Sequence, residues 1–188
     1  MDRIILASQS PRRKQLLELA EIQFEIQVAD IDETPPMGML GHDVPEHLAK
    51  EKAAVIVANN PGAIVIAADT IVLLDDEILG KPTGEEDAVN ILSKLAGRMH
   101  RVVSGVCIQR DEMQQSFSAV TEVYFRPLTQ EQVLHYVSNY KPYDKAGAYA
   151  IQEWIGMVGI EKINGDYYNV MGLPIGEVVQ RLAILGRR

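Results

Sequence analysis

Ser8, Ser10, Arg12 and Arg13 are packed into "LASQSPRRKQLL", where a short apolar run meets a helical pattern. Backbone N–H groups at a helix start lack intrahelical partners and the helix dipole is positive there, which makes such a start an anion site. Ser8 and Ser10 add hydroxyl donors, and Arg12 and Arg13 add planar cationic forks that match phosphate oxygens. Pro11 fixes the backbone between them. Cations in a first helical turn oppose the dipole, so the arrangement costs stability unless an anion completes it. That chemistry is phosphate binding, although neither a glycine-rich P-loop nor a dinucleotide fingerprint accompanies it.

Two further charged residues stand inside apolar patterns. On a helical wheel Lys52 falls between Leu48, Val55 and Ile56, whereas Lys50 and Glu51 lie outside that centre. A lysine there either snorkels to the edge of the core or projects its ammonium into a cleft where an anion neutralises it. Asp69 follows the run "AIVIAA". An aspartate at such a point often caps a turn, but Thr70-Ile71-Val72-Leu73-Leu74 continues as strand and needs none. A carboxylate inside a hydrophobic strand requires partners, and a metal ion or an activated water would serve. Asp32-Glu33 offers oxygen ligands of the hard type that Mg²⁺ prefers, although taken alone it is an ordinary acidic loop. Lys81, in "LGKP", is either a surface lysine or returned towards Asp69 by a hairpin at Asp75-Asp76. Taken together, these carboxylates, cations and helix start describe metal-assisted chemistry on a polyphosphate. The four histidines are scattered and Cys107 is the single cysteine, so there is no His/Cys metal pattern and no intramolecular disulfide. His42 and His47 read as loop and helix surface.

The chain that must position these groups has 188 residues and a net charge of −8. That balance argues against a general nucleic-acid or anionic-membrane surface, while a local cation cluster can still take a small anion. The N-terminus does not read as a signal peptide and the longest apolar run is too short to span a bilayer, so a reducing cytoplasm is the expected location. Ile4–Ala7 reads as a buried strand and residues 22–28 as a half-exposed one. Asp43 with Glu46, and Thr83 with Glu86, read as capping boxes that open helices ending near Asn59 and Gly97. "AIVIAADTIVLL" reads as strand with a turn at Asp75-Asp76, and two more strands follow near 100–109 and 116–125. A Thr129-capped helix runs to about Ser138, and "MVGIEKINGDYYNV" reads as a hairpin turning at Asn164-Gly165. Pro174 starts a last helix that Gly186 closes. Strands and helices mix without strict alternation, which gives a mixed α/β class.

At this point the sequence resembles the Maf (septum formation inhibitor-like) family of nucleoside triphosphate pyrophosphatases. The resemblance spans residues 1–188 as a single domain and rests on "LASQSPRRKQLL", "DIDE", "AKEKA", "AADTIV", "GKP", "DKAGAYAIQ" and "INGDYYNVMGLP". It implies an elongated mixed sheet flanked by helices, two lobes around a cleft, and an inosine triphosphatase-like architecture. It also implies conversion of a nucleoside triphosphate to monophosphate and pyrophosphate with a divalent cation, Mg²⁺ or Mn²⁺, in a protein that forms a homodimer. Trp154, Ile155 and Met157 suit either such an interface or the core. Asp69 matches the proton acceptor; Glu33, Lys52 and Lys81 match other polar cleft positions; Ser8 and Arg13 match the phosphate loop. Arg12, Thr70 and Gln152 match the specificity positions of the branch acting on dTTP and UTP, including modified uridine triphosphates. A carboxamide at Gln152 offers the donor and acceptor that a uracil or thymine edge requires, although it can equally satisfy local backbone groups. The mechanism expected is proton removal from water by Asp69, with a cation held by Glu33 and Asp69. Two other readings compete: a nucleotide-sensing regulator of septum formation, and a pyrophosphatase for a modified purine such as 7-methyl-GTP.

Overall fold

A computed structural model of the chain describes residues 2–185; the helix end expected at Gly186 lies outside them. The fold is mixed α/β, a seven-stranded sheet with flanking helices. Its strands are β1 (Ile4–Leu6), β2 (Glu25–Ile26), β3 (Ile64–Leu74), β4 (Glu77–Leu79), β5 (Met99–Arg110), β6 (Met113–Phe125) and β7 (Ile160–Asn164). They are hydrogen-bonded in the order β2-β1-β3-β5-β6-β7, with β4 on β3. The helices are α1 (Pro11–Leu19), α2 (Val44–Ala58), α3 (Glu85–Leu95), α4 (Gln130–Tyr140), α5 (Trp154–Gly159), α6 (Tyr167–Met171) and α7 (Ile175–Leu185). Among the described residues no helix is long and apolar enough to cross a membrane. The chain divides into two compact units, one of residues 2–70, 104–119 and 172–185, the other of Ile71–Val103 and Val120–Met171.

In the first unit β1 pairs in parallel with β2 and with β3, Ile5 standing opposite Val65. Parallel partners need crossovers, and α1 and α2 supply them. Ala49, Ala53 and Ile56 of α2 pack with Ile5, Val65, Ala67 and Cys107. Small residues on the helix let it lie close to the sheet. Gly105 carries that closeness furthest: a Cβ there would fall 2.0 Å from Glu46 N, so the first turn of α2 rests directly on the backbone of β5. The half-exposed strand expected over 22–28 shrinks to Glu25–Ile26, because its ladder partner β1 is only three residues long. The capping box expected at Asp43 does not form. A 3₁₀ turn over Gly41–Asp43 leads into α2, Asp43 has helical dihedrals and no side-chain cap. Glu46 instead accepts from Ser116 and Ser118 at 2.7 and 2.9 Å and pairs with Lys50.

In the second unit β3 turns back into β4 through Asp75-Asp76, with Asp75 at φ +54°. Thr83 bonds to Asp87, not Glu86, and the N-cap position of α3 is Gly84. The Thr129 cap forms as a box with Gln132, and α4 runs on to Tyr140. The hairpin expected over "MVGIEKINGDYYNV" is replaced by the end of α5, then β7, then α6; β7 pairs antiparallel with β6. Asp166 explains the difference. Its carboxylate accepts from the N–H groups of Tyr168 and Asn169, offering the backbone a helix start where a returning strand was expected. Ile155 is fully buried, Met157 is exposed, and Trp154 leans on His135 with ring centroids 4.8 Å apart.

Candidate active site

Ser10 is the N-cap of α1, its hydroxyl accepting from Arg13 N at 3.5 Å, and Pro11 is the first helical residue. Ser8 is buried, and its Oγ accepts from Ser10 N at 3.2 Å and from Arg13 Nη1 at 3.1 Å. Arg13 also donates from Nε to the Gly172 carbonyl at 2.8 Å and from Nη2 to Thr70 Oγ1 at 3.0 Å. Thr70 Oγ1 lies 2.8 Å from Ser104 Oγ and bonds the Gly172 carbonyl at 3.3 Å. Burial pulls the Arg13 pKa down; the Asp69 and Glu33 carboxylates push it back up, and Arg12 adds to the lowering. The guanidinium read as a phosphate-matching fork is tethered at Nε, Nη1 and Nη2, and its charge is held in a fixed place. Arg12 is half-buried on the same turn.

Lys52 is 8% exposed on α2. Its Nζ sits 2.8 Å from Asp69 Oδ1 and 2.8 Å from Glu33 Oε1. Periodicity explains the meeting. Val65 and Ala67 of β3 face Ala49 and Ala53 of α2; two residues on, the same face of the strand presents Asp69 to the lysine of that helix. Lys52 is neutralised by the protein's own carboxylates, Asp69 and Glu33. β3 runs unbroken through Asp69, so the carboxylate serves no turn. Asp32 is consumed locally, accepting from Thr34 N at 2.9 Å, and hydrogen bonding from the Thr34 side chain and then its backbone holds the Asp32 pKa below the ordinary carboxylate value. The turn it makes leaves Glu33 to reach Lys52.

Two carboxylate oxygens on one nitrogen are also the hard donors that Mg²⁺ or Mn²⁺ takes, and Mg²⁺ commonly binds through one or two carboxylates plus substrate phosphates and water. Among the described residues no group of three or more His, Cys, Asp or Glu side chains forms a metal cage. Glu33 and Asp69 are oxygen donors of the type such a cation takes.

Lys81 and Gln152 belong to the second unit, and both are exposed. Their segments are joined: Gly147 N donates to the Gly80 carbonyl at 3.1 Å. Gly147 has φ +70°, and a Cβ there would come 2.8 Å from Val72 Cγ2, so the contact requires glycine. None of the histidines joins the Lys52 cluster; His100 is buried against the Tyr149 hydroxyl at 2.8 Å. Ser104 and Gly172 were missed. Ser104 carries the same signal as Asp69, a polar residue in a buried strand, whereas Gly172 acts through its carbonyl, which no side chain announces.

A mixed α/β fold thus tethers one guanidinium and sets one ammonium between two carboxylates within its first unit. The chain belongs to the Maf-like protein family, whose profile matches residues 3–185. A dTTP/UTP pyrophosphatase of Cytophaga hutchinsonii is 49% identical over 95% of this chain and 82% of its own. The dTTP/UTP pyrophosphatases of Phocaeicola vulgatus and Bacteroides thetaiotaomicron are 47% and 46% identical, over 96% and 95% of this chain and 94% of theirs. Among solved structures, the Staphylococcus aureus Ham1 protein is 15% identical with a TM-score of 0.49, covering 66% of this chain and 72% of its own.

Proposed function

We propose that the protein hydrolyses dTTP and UTP to the nucleoside monophosphate and pyrophosphate. The observation that carries this reading is the convergence of Asp69 and Glu33 on Lys52 Nζ, next to the tethered guanidinium of Arg13. The names and extent of the relatives supply the substrate. Asp69 Oδ1 is held by Lys52, and Oδ2, which has no protein partner among the described residues, accepts the proton of the attacking water. Lys52, once a triphosphate is present, and Arg13 place positive charge where the transferred phosphoryl and the departing pyrophosphate gain negative charge. Ser10, Ser8 and the first N–H groups of α1 add donors, and Lys81 adds a cation. Glu33 and Asp69 would hold a divalent ion, which would supply Lewis-acid charge to the reaction. Arg12 and Gln152 address the base, and Thr70 contributes by holding Arg13. The reading includes a homodimer in the cytoplasm, a compartment that the single, buried Cys107 suits.

Pyrophosphate release over a panel of dTTP, UTP, CTP, GTP, ITP and 7-methyl-GTP, with Mg²⁺ or Mn²⁺, tests the proposal. dTTP and UTP are expected to lead. Tight nucleotide binding without release under either metal would instead favour a nucleotide sensor.

A further inference from the structure

Gln152 lies in a turn whose two ends are tied to one phenol. Glu153 N donates to the Ala150 carbonyl at 3.1 Å, which makes Ile151 and Gln152 the central residues of a β-turn. Tyr136, fully buried on α4, accepts from Ala150 N at 3.2 Å and donates to Glu153 Oε2. The other carboxylate oxygen of Glu153 faces Lys145 Nζ at 3.5 Å, and Lys145 also pairs with Asp144 at 2.7 Å. Lys145 is 8% exposed, so the residues on either side of 146–152 are joined by an ion pair largely removed from water. Gly156 presses on the same turn, for a Cβ there would fall 1.8 Å from the Ile151 carbonyl. In contrast, the Gln152 side chain is exposed and makes no hydrogen bond among the described residues.

A four-residue turn closes on its backbone hydrogen bond alone. Burying a phenol, a carboxylate and an ammonium around it adds desolvation cost, and what that arrangement secures is the place from which Gln152 projects. Place matters to a carboxamide that reads a base. Uracil presents a carbonyl oxygen and an adjacent ring N–H, and hypoxanthine presents the same pair, but a purine carries it further from the sugar. The two are distinguished by reach, not by donor and acceptor chemistry. We infer that Tyr136 and Glu153 are positioning residues for base selection: they hold the Ala150–Glu153 turn in one place, and with it the Gln152 carboxamide that reads the base. The inference rests on the reading above that Gln152 addresses the base.

The experiment is the ratio of kcat/KM for UTP over ITP in the wild-type protein, Tyr136→Phe, Gln152→Ala and the double variant. Tyr136→Phe keeps the ring and removes the oxygen that ties Ala150 to Glu153. Each single variant is expected to lower the ratio about tenfold, Tyr136→Phe mainly through KM for UTP rather than kcat. The double variant is expected to fall no further than Gln152→Ala alone, because Tyr136 acts through Gln152. An unchanged ratio in Tyr136→Phe overturns the inference, as does a further fall in the double variant. If Tyr136→Phe does not fold, Glu153→Gln, which weakens the Lys145 pair but keeps an acceptor for the phenol, takes its place with the same expectations. A Gln152→Ala ratio equal to wild type overturns the inference while wild-type pyrophosphate release leaves the enzymatic proposal standing. If the wild-type chain releases no pyrophosphate, the enzymatic proposal fails, and the same ratio taken from equilibrium binding of UTP and ITP decides the inference.

Discussion

Lys52 in the first unit and Lys145 in the second are built alike. Each ammonium-bearing side chain is 10% exposed, and each meets one sheltered and one exposed carboxylate: Asp69 at 16% and Glu33 at 58% for Lys52, Glu153 at 23% and Asp144 at 56% for Lys145. The difference lies in what remains after the pairing. Glu153 gives its second oxygen to the Tyr136 hydroxyl, and Asp144 is the lysine's own neighbour in sequence. That cluster is saturated. Asp69 keeps Oδ2 without a protein partner among the described residues, and Glu33 comes from a separate loop. Similar charges at similar depth thus yield a closed clamp in one unit and, among the described residues, a carboxylate with one oxygen left over in the other, according to whether a third partner closes the set.

The sharpest way to break this contrast is Asp69→Asn. The amide retains the shape and a contact for Lys52 but removes the proton acceptor, so pyrophosphate release should fall by about 10²–10⁴-fold with the circular dichroism spectrum unchanged. Near-native turnover would take Asp69 out of the base role and leave the two lysine clusters equivalent.

Metal response sharpens the contrast next. Removing one member of a buried ion pair costs about 3–5 kcal/mol. Lys145→Met should approach that loss, since Glu153 then stays sheltered with no cation. Lys52→Met leaves Asp69 and Glu33 facing an empty position that a divalent cation can fill. A cation at about 100 times its dissociation constant returns about 2.7 kcal/mol. Thermal melts with and without Mn²⁺ should therefore show recovery in Lys52→Met and none in Lys145→Met. Equal response in the two variants, or none in either, removes the distinction.

The two clusters also differ in how far the sequence revealed them. Lys52 and Asp69 interrupt apolar periods, and a charged residue inside a helix stripe or a buried strand is visible without coordinates. Lys145, Glu153 and Tyr136 interrupt nothing; their pairing joins a helix, a loop and a turn that only the tertiary fold brings together. The failed expectations have the same origin. Glu46 sits at capping-box spacing from Asp43, yet Ser116 and Ser118 on β6 compete for its oxygens. The strand expected after Gly165 loses to the cap that Asp166 provides. Local period and turn chemistry were legible, including a helix start within "LASQSPRRKQLL", the Asp75-Asp76 turn and the Thr129 cap. Competition between near and distant hydrogen-bond partners was not, and the tethering of Arg13 by the Gly172 carbonyl belongs to that second kind.

Acid separates the two units by the groups each has buried. In the second unit His100 is 1% exposed, packed edge-on to Phe125 and Tyr149 with its Nε2 against the Tyr149 hydroxyl. Burial pushes its pKa down to about 3, and pushes the Tyr149 phenol upward, so both rings are neutral at pH 7. The unfolded chain takes up the histidine proton below about pH 6.5, and the folded chain resists it until about pH 3. Stability is therefore complete above the unfolded pKa and is lost as pH falls, by about 1.4 kcal/mol per pH unit within that window. In the first unit Glu46 is raised by burial but lowered more by Lys50, Ser116 and Ser118, for a net depression. Its contribution is intact above the unfolded carboxylate range and is lost only as pH falls through the lowered folded value. Urea unfolding between pH 7.5 and 4 should show a wild-type decline starting near pH 6.5 that His100→Phe flattens. Glu46→Gln should leave that decline in place and act only at the acid end, with the smaller effect. If His100→Phe keeps the wild-type slope, the buried imidazole is not what makes the second unit the more acid-sensitive of the two.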